Sequence, residues 1–214
     1  LSVPLVRALG LLFPLCSIIY LTATSIFTGR PMPKYAVLVI DMLEEFVKGA
    51  LKIERAERIV PNIKKLIERA REKKVPVIYV NDAHLPQVDA EFKLWGAHAV
   101  KGTPGAEVVE ELKPREGDFV VEKRRYSGFF DTDLDLLLRE LGADTLILTG
   151  IATDICVKHT AADAFFRGYK VIVVEDCTES FTEKDHKWAI GYMKKIYGAE
   201  ILTVDKALEK LSEL

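Results

Sequence analysis

DTLILTGIATDICVKHTAADAFFRGYKVIVVED, Asp144 to Asp176, is the stretch whose reading decides the fold. DTLILTG is a continuous apolar run that stops at a glycine. CVKHTAADAFFRG reads as a helix closed by Gly168, and YKVIVVED is a second apolar run that stops at an acid. Short apolar runs without alternation suit strands covered on both faces, which are parallel strands. A strand, a helix and a second parallel strand make a right-handed crossover unit.

The same alternation extends in both directions. YAVLVID (Tyr35–Asp41), VPVIYVND (Val75–Asp82) and DFVVEK (Asp118–Lys123) read as earlier strands. ERIVPNIKKLIERAREKK carries Ile59, Ile63, Leu66, Ile67 and Ala70 at helical spacing. TDLDLLLRELG opens at Thr132 or Asp133 and closes at Gly142, and EKDHKWAIGYMKKIYG closes at Gly198. AEILTVDKALEKL gives a short strand and a terminal helix. The expected fold class is α/β: a three-layer α/β/α, Rossmann-like domain with a mainly parallel sheet of about six strands.

The chain has 214 residues, enough for one sizeable core. Thirty basic and 32 acidic residues leave a net charge of −2, which suggests neither a nucleic-acid groove nor a polybasic membrane patch. Cys16, Cys156 and Cys177 form no C-x-x-C pair, so free thiols in a reducing compartment are expected. No glycine-rich phosphate cradle follows a strand.

Residues 1–31 differ in kind. Ala8 to Phe27 is uncharged and mostly apolar, about long enough to span a bilayer. It reads as a signal or anchor, as an arm that packs on a partner, or as translated upstream sequence before a start at Met32. The last is the reading taken, with the domain at 32–214 and a cytoplasmic location. A membrane association follows only if residues 1–30 are a real anchor.

In a parallel α/β sheet, ligands bind beyond the carboxyl ends of the strands. Asp41, Asn81 and Asp82, Lys123, Gly150 to Thr153, and Asp176 are expected there, with Cys156 just past the fourth strand. A helix N-terminus favours a thiolate at Cys156, Lys123 can supply a counter-charge and Asp41 a base. A lone cysteine near a helix start is more often core filler; its convergence with Asp41 and Lys123 favours a site. NDAHLPQVDAEFKLWGAHAV adds Asp82, His84, Glu91 and His98, whose mix of imidazole and carboxylate suits Zn²⁺, Fe²⁺ or Mn²⁺, although polar loop residues are usually just solvated.

VLVIDMLEEF (Val37–Phe46), KRRYSGFFDTDLDLLLRELG (Lys123–Gly142) and TGIATDICVKHTAADA (Thr149–Ala164) resemble the isochorismatase-like cysteine hydrolases, over Tyr35 to about Val204. The resemblance implies Cys156 as nucleophile, Lys123 as its electrostatic partner and Asp41 as general base. It also implies a cis peptide at Ile151–Ala152, with the Ala152 and Cys156 N–H groups forming an oxyanion hole. Asp82-x-His84 with Glu91 and His98 resembles a nicotinamidase branch, which implies a divalent metal, Zn²⁺ first. Phe46, Trp95 and Tyr126 are the implied aromatic wall. The implied reaction is hydrolysis of nicotinamide to nicotinate and ammonia, with homo-oligomers common in the family. The D-W-H-P stretch of the family reads Asp82-Ala83-His84-Leu85 here, which leaves the pocket shape open. The alternatives are a hydrolase of another small amide, such as a carbamoyl or ureido compound, and a non-catalytic subunit tethered to a membrane. His159 is expected to be a partly buried structural histidine, His186 solvated, Cys177 inert and Asp163 structural.

Overall fold

A computed structural model describes residues 34–214. The readings of the preceding apolar stretch lie outside the described residues. Six strands form one sheet: β1 (Tyr35–Ile40), β2 (Val77–Asp82), β3 (Phe119–Lys123), β4 (Thr145–Ile151), β5 (Lys170–Glu179) and β6 (Glu200–Leu202). Their order is β3-β2-β1-β4-β5-β6, and every pairing is parallel. The helices are α1 (Glu44–Val47), α2 (Val60–Glu72), α3 (Phe92–Trp95), α4 (Leu134–Glu140), α5 (Lys158–Phe166), α6 (Glu183–Tyr197) and α7 (Val204–Ser212).

The pleat sorts each central strand into two cores. Val37 and Val39 of β1 pack with Ile63, Leu66 and Ile67 of α2 and with Ala207 and Leu211 of α7. Ala36, Leu38 and Ile40 face the other way, toward Leu134 and Leu138 of α4, Ala161 and Ala164 of α5 and Met193 of α6. Both faces are therefore covered, which is why these strands read as unbroken apolar runs. Each fully enclosed aliphatic side chain contributes roughly 1.5–3 kcal/mol. The expected three layers are present.

Two details differ from the sequence reading. Asp176 does not end β5; a register irregularity between Leu148 and Gly150 lets β5 run on to Glu179. Asp176 instead accepts the Val204 N–H at 2.7 Å and so holds the start of α7. Cys156 is not in the first turn of an α-helix: Thr153–Val157 form a π-type turn, and α5 starts after it. No helix among the described residues is long and apolar enough to cross a membrane.

The chain builds outward from β1 to β3 and then returns to place β4 on the other side of β1. This reversal opens a crevice between the carboxyl ends of β1 and β4.

Candidate active site

Asp41 and Cys156 stand on either side of that crevice, and Lys123 reaches it from β3. The chain turns left-handed at Asp41 (φ 53°), a conformation that aspartate tolerates better than most residues. One carboxylate oxygen of Asp41 accepts the Asp82 N–H at 2.8 Å. The other lies 2.8 Å from the Lys123 ammonium, which is also 2.6 Å from Asp82 and 3.6 Å from the Cys156 sulfur. An oxygen of Asp41 and one of Asp82 come within 4.8 Å of that sulfur. All four side chains are buried.

Gly150 makes this approach possible. Its φ is +101°, and a Cβ there would sit 1.9 Å from the Ile40 carbonyl oxygen. The Ile151–Ala152 peptide is cis, as the resemblance implies. The Ala152 carbonyl accepts the Ile155 and Val157 N–H groups at 3.0 and 3.2 Å, while the Ala152 N–H has no backbone acceptor among the described residues.

Burial sets the charge states. It pushes the Cys156 thiol well above its usual value, against the pull of Lys123. Desolvation outweighs both the lysine and any helix-end field, which favours the thiol. Burial, reinforced by Asp82, raises Asp41 to about 6. Burial opposes charge on Lys123, but Asp41 and Asp82 overcome it and hold the ammonium well above its ordinary pKa. Burial likewise opposes ionisation of Asp82, yet Lys123 and then His84 keep its pKa low.

Asp82 links this group to a second one. One ligand atom each from Asp82, His84 and His98 lie within 4.8 Å of one another. Nε2 of His84 is 3.6 Å from Asp82 and 3.9 Å from Glu91. Glu91 borders this trio rather than belonging to its tightest cluster. His98 Nδ1 donates to the Gly96 carbonyl at 2.8 Å, which leaves Nε2 available. Both nitrogens of His84 and one oxygen of Glu91 are enclosed without a hydrogen-bond partner among the described residues. Enclosed groups of this kind demand a partner, and imidazoles facing carboxylates fit a divalent cation. Burial opposes protonation of His84, but Asp82, Glu91 and Asp89 raise its pKa. Burial, then Asp82, raises Glu91.

A pocket with about 440 Å³ of empty space, its open mouth included, is lined by Asp41, Asp82, Glu91, His98, Ala152 and Cys156 on its polar side. Phe46, Trp95 and Tyr126 line it as expected; Leu51, Ile53, Ile155 and Phe181 join them and carried no signal in the sequence. Trp95 lies parallel to Phe181, with centroids 6.0 Å apart, and donates to the Tyr126 hydroxyl at 3.1 Å.

The remaining histidines depart from expectation. His159 is exposed, with Nδ1 on the Ile155 carbonyl at 2.7 Å. His186 is not solvated: it is half-buried and hydrogen-bonds Thr153, the first residue of the turn that carries Cys156, at 2.9 Å, and burial lowers its pKa. Cys177 is fully buried, which raises its thiol pKa, in line with an inert core role. Asp163 accepts from Ser127 and Arg167, a structural role as expected.

The parallel sheet order and the charged groups gathered at its carboxyl edge define a class, the three-layer α/β/α domains with a site beyond the strand ends. The Isochorismatase domain family matches residues 35–206, and the chain belongs to it. An N-carbamoylsarcosine amidase from Thermoplasma acidophilum is 45% identical, with a TM-score of 0.76 over 80% of this chain and 97% of that one. A nicotinamidase from Bacillus subtilis is 34% identical, with a TM-score of 0.76 over 79% and 99%. A pyrazinamidase of Pyrococcus horikoshii, crystallised in complex with zinc, is 31% identical, with a TM-score of 0.75 over 80% and 99%.

Proposed function

We propose that the protein is a metal-dependent amidase for a small, neutral, aromatic carboxamide, with nicotinamide as the substrate. The observation that carries this reading is the pocket: Cys156, Asp82, Glu91 and His98 share it with an aromatic wall, and no arginine or lysine among the described residues lines it. A neutral amide adds no further negative charge beside Asp41, Asp82 and Glu91. A neutral ring suits the aromatic side chains.

In the proposed course, Asp41 accepts the Cys156 proton as sulfur attacks the carboxamide carbon. A base raised to about 6 is stronger than an ordinary carboxylate and remains ionised at neutral pH. Lys123 stabilises negative charge on sulfur as it develops, so a resting thiolate is not required. The oxyanion is received by the Ala152 and Cys156 N–H groups. Asp41 returns the proton to the departing nitrogen and ammonia leaves. Asp41 then activates water, which hydrolyses the thioester to nicotinate and frees the thiol. Asp82, His84 and His98, with Glu91 beside them, would hold a divalent metal, zinc first, which would supply a Lewis-acid anchor for the pyridine nitrogen. Phe46, Trp95 and Tyr126 orient the ring.

The second reading is hydrolysis of a carbamoyl amide, favoured by the 45% identity to the N-carbamoylsarcosine amidase. Ammonia release from nicotinamide and from N-carbamoylsarcosine, with zinc-loaded and chelated protein, separates the two. Turnover of nicotinamide that needs metal and is lost in Cys156→Ala supports the first reading. Turnover of N-carbamoylsarcosine alone refutes it.

A further inference from the structure

We propose that Asp89, in the loop between β2 and α3, is a positioning residue that orients His84 toward the metal. This rests on the metal reading given above. The Asp89 carboxylate is completely enclosed and approaches His84 Nδ1 to 3.4 Å. On the opposite edge of the ring, Nε2 faces Asp82 and Glu91 at 3.6 and 3.9 Å. The imidazole thus has one carboxylate behind it and the ligand cluster in front. At 3.4 Å the contact is longer than an aligned hydrogen bond, so its effect is electrostatic. With a cation held in front of Nε2 by Asp82, His98 and Glu91, the negative charge behind Nδ1 favours the tautomer with the proton there, which leaves the Nε2 lone pair to the metal. The Gly96 carbonyl does the same for His98, at 2.8 Å.

The setting of Asp89 supports this role. Arg124 grips it with Nε at 3.0 and 3.1 Å and Nη2 at 2.8 Å, Arg125 adds a contact at 3.3 Å, and the Leu85 N–H donates at 2.5 Å. Every one of these neighbours is a donor, two of them guanidiniums, so the carboxylate is held as an acceptor facing the imidazole. Lys123, Arg124 and Arg125 are consecutive. The end of β3 therefore delivers both the ammonium beside Cys156 and the guanidiniums that hold Asp89 in place.

The test combines zinc affinity with a spectroscopic measurement on the zinc-loaded protein. Competition against a chromophoric chelator gives the zinc Kd of the wild type and of Asp89→Asn. Loss of a carboxylate behind a ligating imidazole is expected to weaken binding about 10–100-fold. In zinc-loaded wild type, ¹⁵N spectra of the histidine side chains should show His84 with the metal on Nε2 and the proton on Nδ1. A wild-type His84 with its proton on Nε2, or equal zinc affinity in a folded Asp89→Asn, overturns the role of Asp89. Failure of the wild type to bind zinc overturns the metal reading itself, and this inference with it. The spectrum of the wild type needs no variant, so the proposal can be overturned even if Asp89→Asn does not fold.

Discussion

Replacing Lys123 by methionine removes one positive charge and little volume from a position that is 1% exposed. The ammonium sits 2.8 Å from Asp41 and 2.6 Å from Asp82. Without it, two buried carboxylates face each other. Breaking a buried pair by removing one partner costs about 3–5 kcal/mol, a large share of the roughly 5–15 kcal/mol that holds a domain together. For a domain of this size that is a fall in Tm of about 6–20 °C. Removing the lysine raises the folded pKa of Asp41 further above the unfolded value of about 3.9 and takes away the cation that keeps Asp82 low. A group raised in this way stabilises the fold below its unfolded pKa, and that contribution is lost as pH rises through the folded value. The deficit of Lys123→Met relative to wild type should therefore be largest at neutral and alkaline pH and shrink in acid. Adding Asp41→Asn should restore more than half of the loss without restoring turnover. Urea unfolding of metal-free protein across the pH range, with ammonia release measured in parallel, makes the comparison. A deficit below about 1 kcal/mol, the size expected of an exposed pair, or one independent of pH would refute the electrostatic account.

The pKa of Asp41, raised by burial and Asp82 to about 6, should give kcat/KM an acid limb near that value, falling about tenfold per pH unit below it. A flat profile down to about pH 5 would exclude Asp41 as the base. Gly150→Ala places a Cβ 1.9 Å from the Ile40 oxygen at φ +101° and should abolish turnover while lowering Tm, as followed by calorimetry. Phe181→Ala removes the partner of Trp95 at the pocket mouth; it should raise KM several-fold with little change in kcat, in a steady-state assay on nicotinamide.

The central strands were legible because burial on both faces leaves no polar residue in Leu38–Ile40 or Leu146–Leu148, and glycine marks the helix ends at Gly142, Gly168 and Gly198. Asp41, Lys123 and Cys156 could be gathered on paper because parallel strands share one carboxyl edge. Other features rest on distances that no local pattern encodes. Asp176 was misplaced because the register irregularity opposite Gly150 lengthens β5. Phe181, Leu51 and Ile53 reach the pocket from separate connections with no periodic signal. His186 looked solvated from the charges around it, yet Thr153 meets it across the fold.

The polar groups beside Cys156 are delivered by the ends of β1, β2 and β3, whereas Phe46, Leu51, Ile53, Trp95, Ile155 and Phe181 all lie in the segments that follow strands. Apart from Cys156, which follows β4 beside Ile155, the charged groups and the apolar lining thus occupy separate parts of the chain, and most of the lining can be rewritten without touching the sheet. Lineages sharing this scaffold can drift in diet while keeping the same engine, and an engineer can exchange connecting segments as cassettes.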